Sequence, residues 1–128
     1  MGRKKKEDKG TLTDTELKIM SAIWPMGEST VHLVLVVLKD KNDYAYTTVS
    51  TMMRNLEQKG LLQGRKEGRG HVYSPMISKE EYQAIAIQDV VQGPFDGAPM
   101  ALIKGLLGNV KLTASDIDEL KKLLKDRV

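Results

Sequence analysis

Cysteine is absent from this chain of 128 residues, which removes disulfides, Cys-ligated zinc, thiol nucleophiles and redox switching together. Histidine is nearly as scarce. His32 and His71 are the only two, no motif joins them, and neither a metal site nor a cofactor is expected. Long apolar runs are missing too: the longest, Leu33 to Leu38, is far short of the roughly 20 residues that span a bilayer. The charged stretch Met1 to Gly10 leads into no apolar segment of the kind a secretory leader has. No membrane partner is expected, and a cytoplasmic location is. What remains is a globular composition, 41% hydrophobic and 29% charged with 11 Gly and 4 Pro, of a length that suits one domain or one domain with a small appendage.

Charge is unevenly spread. Residues 1–75 carry 13 basic and 9 acidic groups, whereas 76–128 carry 7 and 8, so a polyanionic partner is suggested for the first segment alone. The acidic residues of the second segment fall at helix caps and solvated faces, where they stabilise helices. No nucleophile with its base, no metal-ligand set and no phosphate-cradling loop occurs, and an enzyme is not expected.

Thr13-Asp14-Thr15-Glu16 has the form of a capping box, flanked by Leu12 and Leu17 at the staple positions. It predicts a helix from Asp14 to Trp24 that buries Leu17, Met20, Ile23 and Trp24 and stops at Pro25. Thr30 to Leu38 satisfies a buried strand as well as a buried helix. With Thr30 as cap and Lys39-Asp40-Lys41-Asn42-Asp43 as terminator, it reads as a short helix, apolar nearly all round and therefore expected to be covered on more than one side.

Between Tyr46 and Lys59 the positions Val49, Met52, Met53 and Leu56 form an apolar stripe at helical spacing, and Thr47, Ser50, Thr51 and Arg54 repeat that spacing on the opposite face. That outer face has hydroxyls and one Arg where a solvated helix ordinarily carries Glu and Lys pairs. Short hydroxyls permit close approach to a surface, and Arg54 is long enough to reach a guanine or a phosphate. A plain surface helix rich in Thr and Ser is the alternative. Leu61 to Lys66 and His71 to Ser74 then predict a β-hairpin with Gly68 and Gly70 at positive φ near its tip, ended by Pro75. Arg65, Lys66 and Arg69 put three positive charges on and beside that tip, an arrangement that can reach a phosphate backbone or a minor groove.

Ser78-Lys79-Glu80-Glu81 is a second capping box, opening a helix that carries Tyr82, Ile85, Ala86 and Val90 toward Gly93-Pro94. A short helix from Pro99 to Leu107, closed by Gly108, and a last one opened by Thr113 and Asp116, with the stripe Ile117, Leu120 and Leu124, complete the chain. Three short helices have little core of their own and suit a dimerisation module. The division expected is a flexible basic tail at 1–10, a DNA-binding domain at 11–76 and a helical dimerisation domain at 77–128.

Helix, helix, polar-faced helix and basic hairpin, in that order, are the parts of a winged helix-turn-helix: mostly α with a small β-hairpin, an α+β fold. The chain also resembles the BlaI/MecI penicillinase-repressor family. The likeness rests on Leu12-Thr13-Asp14-Thr15-Glu16-Leu17 with Met20 and Trp24, and on Tyr46-Thr47-Thr48-Val49 leading to Leu56, Lys59-Gly60 and Leu61. It continues through Gly68-Arg69, Val72-Tyr73-Ser74-Pro75, Ile77-Ser78-Lys79-Glu80-Glu81-Tyr82 and Leu112-Thr113 with Ile117-Asp118-Glu119-Leu120. The resemblance implies a transcriptional repressor that binds a palindromic operator in double-stranded DNA as a homodimer held by its C-terminal helices. The DNA-binding residues it implies are Tyr46, Thr47, Thr48, Ser50, Thr51 and Arg54 on the third helix and Arg65, Lys66 and Arg69 on the wing.

Two departures narrow that expectation. Members that respond to β-lactams resemble substrates of an inactivating protease that cuts an Asn-Phe bond; the equivalent place here is Gly105-Leu106, and no Asn-Phe pair occurs. The copper-responsive branch uses a C-terminal cysteine cluster, which this chain lacks. A winged-helix module that docks proteins instead of DNA is the rival reading, and it predicts no salt-sensitive binding to duplex DNA.

Overall fold

Capping boxes open three of the six helices in the computed structural model, which describes residues 12–41 and 43–127. The proposed basic tail at 1–10 lies outside the described residues. Thr13 and Glu16 bond each other's amides reciprocally at 3.1 and 3.0 Å, and Ser78 with Glu81 and Thr113 with Asp116 do the same at 2.8–3.0 Å. The resulting order is α1 (Asp14–Met26), α2 (Val31–Leu38), α3 (Tyr46–Gln58), β1 (Leu62–Glu67), β2 (Gly70–Pro75), α4 (Lys79–Gln92), α5 (Pro99–Asn109) and α6 (Ala114–Arg127). The fold is the expected mostly helical α+β arrangement with one antiparallel hairpin.

The chain forms two compact units, one ending at Ile87 and the other beginning at Gln88. The first gathers α1, α2, α3 and the hairpin around Ile19, Met20, Ile23, Val34, Val49, Met53, Leu56, Leu61 and Leu62, all essentially inaccessible to solvent. Ile77 and Tyr82 are buried in this same core, so the start of α4 packs with the winged unit and the compact border falls beyond the division expected at 76/77. Trp24 reinforces the join: its Nε1 donates to the Ile77 carbonyl at 3.0 Å, and its ring lies 5.7 Å from that of Tyr82.

Several local expectations are corrected. In α1 the buried set is Glu16, Ile19, Met20, Ala22 and Ile23, while Leu17 is exposed and Trp24 only half-buried. The helix runs through Pro25, which in the last turn removes a single intrahelical bond, and Gly27 at φ 83° closes it by donating to the Ile23 carbonyl. Helix α2 forms where expected, capped by Thr30, but only Val31, Val34 and Leu38 are buried. Leu33, Val36 and Val37 are about half exposed: α2 meets α1 and α3 on one side, and a unit this small has no further layer to cover the other. At the hairpin tip only Gly68 has positive φ, at 61°, because Gly70 is already paired with Glu67 in the ladder. A glycine at the first central position is what a type II′ turn requires.

Ser29 adds a single-residue bridge to the wing by exchanging bonds of 2.9 and 2.8 Å with the Tyr73 backbone. Opposite Tyr73 in the ladder stands Gly64. A Cβ there would lie 3.0 Å from Tyr73 Cε1 and 3.2 Å from Glu57 Oε2, and the Tyr73 ring is buried. Gly64→Ala is therefore expected to destabilise the winged unit by about 1–3 kcal/mol through overpacking, measurable as a lowered urea midpoint.

In the C-terminal unit α5 runs through Gly108 to Asn109, whose Nδ2 donates to the Gly105 carbonyl at 2.9 Å. Val91 is buried there, and its neighbour Val90 is exposed. Neither α5 nor α6 buries any of its residues. Among the described residues no helix is long and apolar enough to cross a membrane.

Candidate nucleic-acid interface

The third helix is held from below by its apolar stripe. Val49, Met53 and Leu56 are buried, which turns Tyr46, Thr47, Thr48, Thr51 and Arg54 outward and leaves Ser50 half-buried. Its far end is pinned by an ion pair that sequence reasoning did not find: Glu16, besides capping α1, accepts from Lys59 Nζ at 2.7 Å while its own side chain is nearly inaccessible. Nothing local announces this pair, because the partners lie 43 positions apart. At the near end Ala45 is the N-cap and contributes no side-chain bond. The start of α3 carries the positive end of the helix dipole, which suits a phosphate.

Between α3 and the hairpin runs a groove of about 770 Å³. Five of the nine residues expected at a DNA site line it, namely Tyr46, Ser50, Arg54, Lys66 and Arg69. Thr47, Thr48 and Thr51 are exposed on α3 outside this lining. Among the described residues Arg54, Lys66 and Arg69 make no ion pair, so their charges are open to a ligand.

Arg65 differs from them. Its guanidinium forks onto Glu28 with bonds of 2.9 and 3.2 Å and takes Glu67 through two more of 3.0 and 2.8 Å. These bonds drive the Arg65 pKa further upward and hold the Glu28 carboxyl below the usual carboxylate range. The pair ties the wing to the loop after α1, 37 positions earlier, and takes Arg65 away from the groove lining.

The groove also contains groups absent from the expected site. Glu57 accepts from the Gly64 amide at 3.2 Å and Tyr73 is raised above the ordinary phenol value by burial and then by Glu57, against the opposing influence of Arg54. Both histidines line it as well. Their separation of 39 positions hid this from the sequence; only the fold brings α2 and β2 to one surface. Among the described residues no group of three His, Asp or Glu side chains could hold a metal.

Three helices, the last presenting a polar outer face, followed by a two-stranded hairpin that Ser29 bridges, make this a winged-helix protein. The penicillinase repressor family profile matches residues 12–126. The chain is similar to the penicillinase repressor of Bacillus licheniformis, 28% identical over 115 residues covering 90% of each. It is also similar to the transcriptional regulator BlaI of Mycobacterium tuberculosis, 29% identical over 90% of this chain and 83% of that protein. Among solved structures it is similar to the solution structure of the DNA-binding domain of the repressor BlaI, with 33% identity and a TM-score of 0.51, over 57% of this chain and 89% of that one. The chain belongs to the penicillinase repressor family.

Proposed function

We propose that this protein is a transcriptional repressor that binds a palindromic operator in double-stranded DNA as a homodimer. The observation that carries the reading is the surface on which Arg54, Lys66 and Arg69 line a groove beside the start of α3. The family supports it, since its members named above are a penicillinase repressor and a transcriptional regulator, and the solved likeness is a DNA-binding domain. In this account α3 enters a major groove, the wing takes the backbone beside it, and repression follows from promoter occlusion in the cytoplasm, where bacterial DNA lies.

Dimerisation is assigned to the C-terminal unit. Met100, Ile103, Leu106 and Leu107 on α5 and Leu123 and Leu124 on α6 are each between 40% and 58% exposed, an apolar surface that a second copy would remove from water. An inactivating protease is the further partner implied for this family; Gly105-Leu106 lies inside α5, so cutting there requires the helix to open.

Fluorescence anisotropy of the full chain with a random-sequence duplex, repeated across salt concentrations, tests the DNA reading. Binding that falls steeply and linearly in log–log form supports it, and an absence of salt-sensitive binding favours the protein-docking alternative. The same titration sorts the cations. Lys66→Ala and Arg69→Ala are each expected to reduce the slope by about one, whereas Arg65→Ala, which removes a strut and no phosphate contact, changes it by much less. A full unit lost with Arg65→Ala would return that residue to the interface.

A further inference from the structure

We propose that His32 and His71 are two further DNA-contacting residues of this groove, binding the phosphate backbone in their protonated form, so that protons act as co-ligands of the repressor. The inference rests on the DNA reading above and adds residues and a regulatory input to it. Its basis is placement: the chain's only two histidines, one exposed at the start of α2 and one exposed on β2, line the same groove as Arg54, Lys66 and Arg69.

The surroundings set the direction of the effect. Facing the groove are Tyr46, Arg54 and Glu57 from α3, Lys66 and Glu67 from β1, Arg69 from the turn and Tyr73 from β2. On its other side His32 borders a smaller hollow with Lys39, Asp43 and Tyr44. Of the two groove carboxylates Glu67 is paired with Arg65, whereas Glu57 accepts from the Gly64 amide and keeps its negative charge. The cations are open, and Lys66 stands directly across the ladder from His71. A phosphate bound in the groove favours a positive charge on an imidazole beside it. DNA binding therefore promotes proton uptake, and by reciprocity protons strengthen DNA binding.

An imidazole changes charge between about pH 5 and 8, whereas carboxylates titrate near pH 4 and phenols near pH 10. Glu28 is held lower still by Arg65 and Tyr73 is pushed higher by burial, so the wing strut and the Tyr73 hydroxyl keep their states across that window. Affinity is expected to rise on the order of fivefold per histidine between about pH 8 and pH 6.

Anisotropy titrations of the full chain with a random-sequence duplex, at fixed ionic strength from about pH 8 to pH 6, test this. The wild type is expected to bind more tightly with each step of acidification and with a steeper salt slope. His32→Gln and His71→Gln should each lose part of the gain, and the double variant nearly all of it. Calorimetry of the wild type in buffers of different ionisation enthalpy checks the same point without a variant, by counting protons taken up near pH 6.5. A wild-type affinity independent of pH, a double variant that keeps the full pH response, or zero proton uptake overturns the inference while leaving DNA binding intact. No binding at any pH would overturn the DNA reading itself, and this inference with it.

Discussion

Replacing Arg54, Lys66 and Arg69 together by alanine is expected to weaken duplex binding on the order of 10²–10³-fold at moderate salt and to flatten the salt slope by about two to three units per subunit. The reason is that these three charges line one groove and have no carboxylate partner among the described residues. Their removal breaks nothing inside the fold, and the melting transition should stay close to that of the wild type. Arg54 separates from the other two by sequence preference. On the outer face of α3 it can reach a base edge, so Arg54→Ala alone should cost specific binding about 1–3 kcal/mol and relax selectivity at one base pair. Uniform weakening on every sequence would make it a phosphate contact instead. An unchanged affinity in the triple variant would remove the groove from the interface.

Leu124→Asp is expected to convert the protein from dimer to monomer in sedimentation velocity at micromolar concentration. Leu124 continues the α6 stripe begun by the half-buried Ile117 and Leu120, yet is itself 58% exposed. Within one subunit the substitution therefore touches little, whereas in a dimer it places an unpaired carboxylate in an apolar contact. Two linked DNA-binding units gain from effective concentration, so the monomer should also lose about 10²–10⁴-fold in affinity for a two-half-site operator. Binding to a single half-site should change far less. A variant that remains dimeric places the dimer contact elsewhere.

The parts legible in sequence were those with local physical causes. All three capping boxes form because the hydroxyl and carboxylate that bond each other's amides are three residues apart, and Val49, Met53 and Leu56 of the α3 stripe are buried, with Met52 half-buried, because one period fixes one face. The features that escaped are long-range. Neither the 43-residue separation of Glu16 and Lys59 nor the 37 residues between Glu28 and Arg65 leaves a periodic trace, and Ser29 bridges the wing only because Tyr73 is there to pair with it. Charge alone could not distinguish Arg65 from Lys66 and Arg69. One of these neighbours is tied to carboxylates that brace the wing and the other two line the groove, a difference set by where Glu28 lands. The over-estimate of α2 burial has a similar origin: composition registered seven apolar residues from Val31 to Leu38 but not how few elements were available to cover them.

Selection of bound duplexes from a random pool by the full-length wild-type protein tests the central claim most directly. The account predicts enrichment of a dyad whose half-sites lie about one helical turn apart, protected on both halves by one dimer. Enrichment of a single unrepeated half-site, or no enrichment over the starting pool, would contradict it.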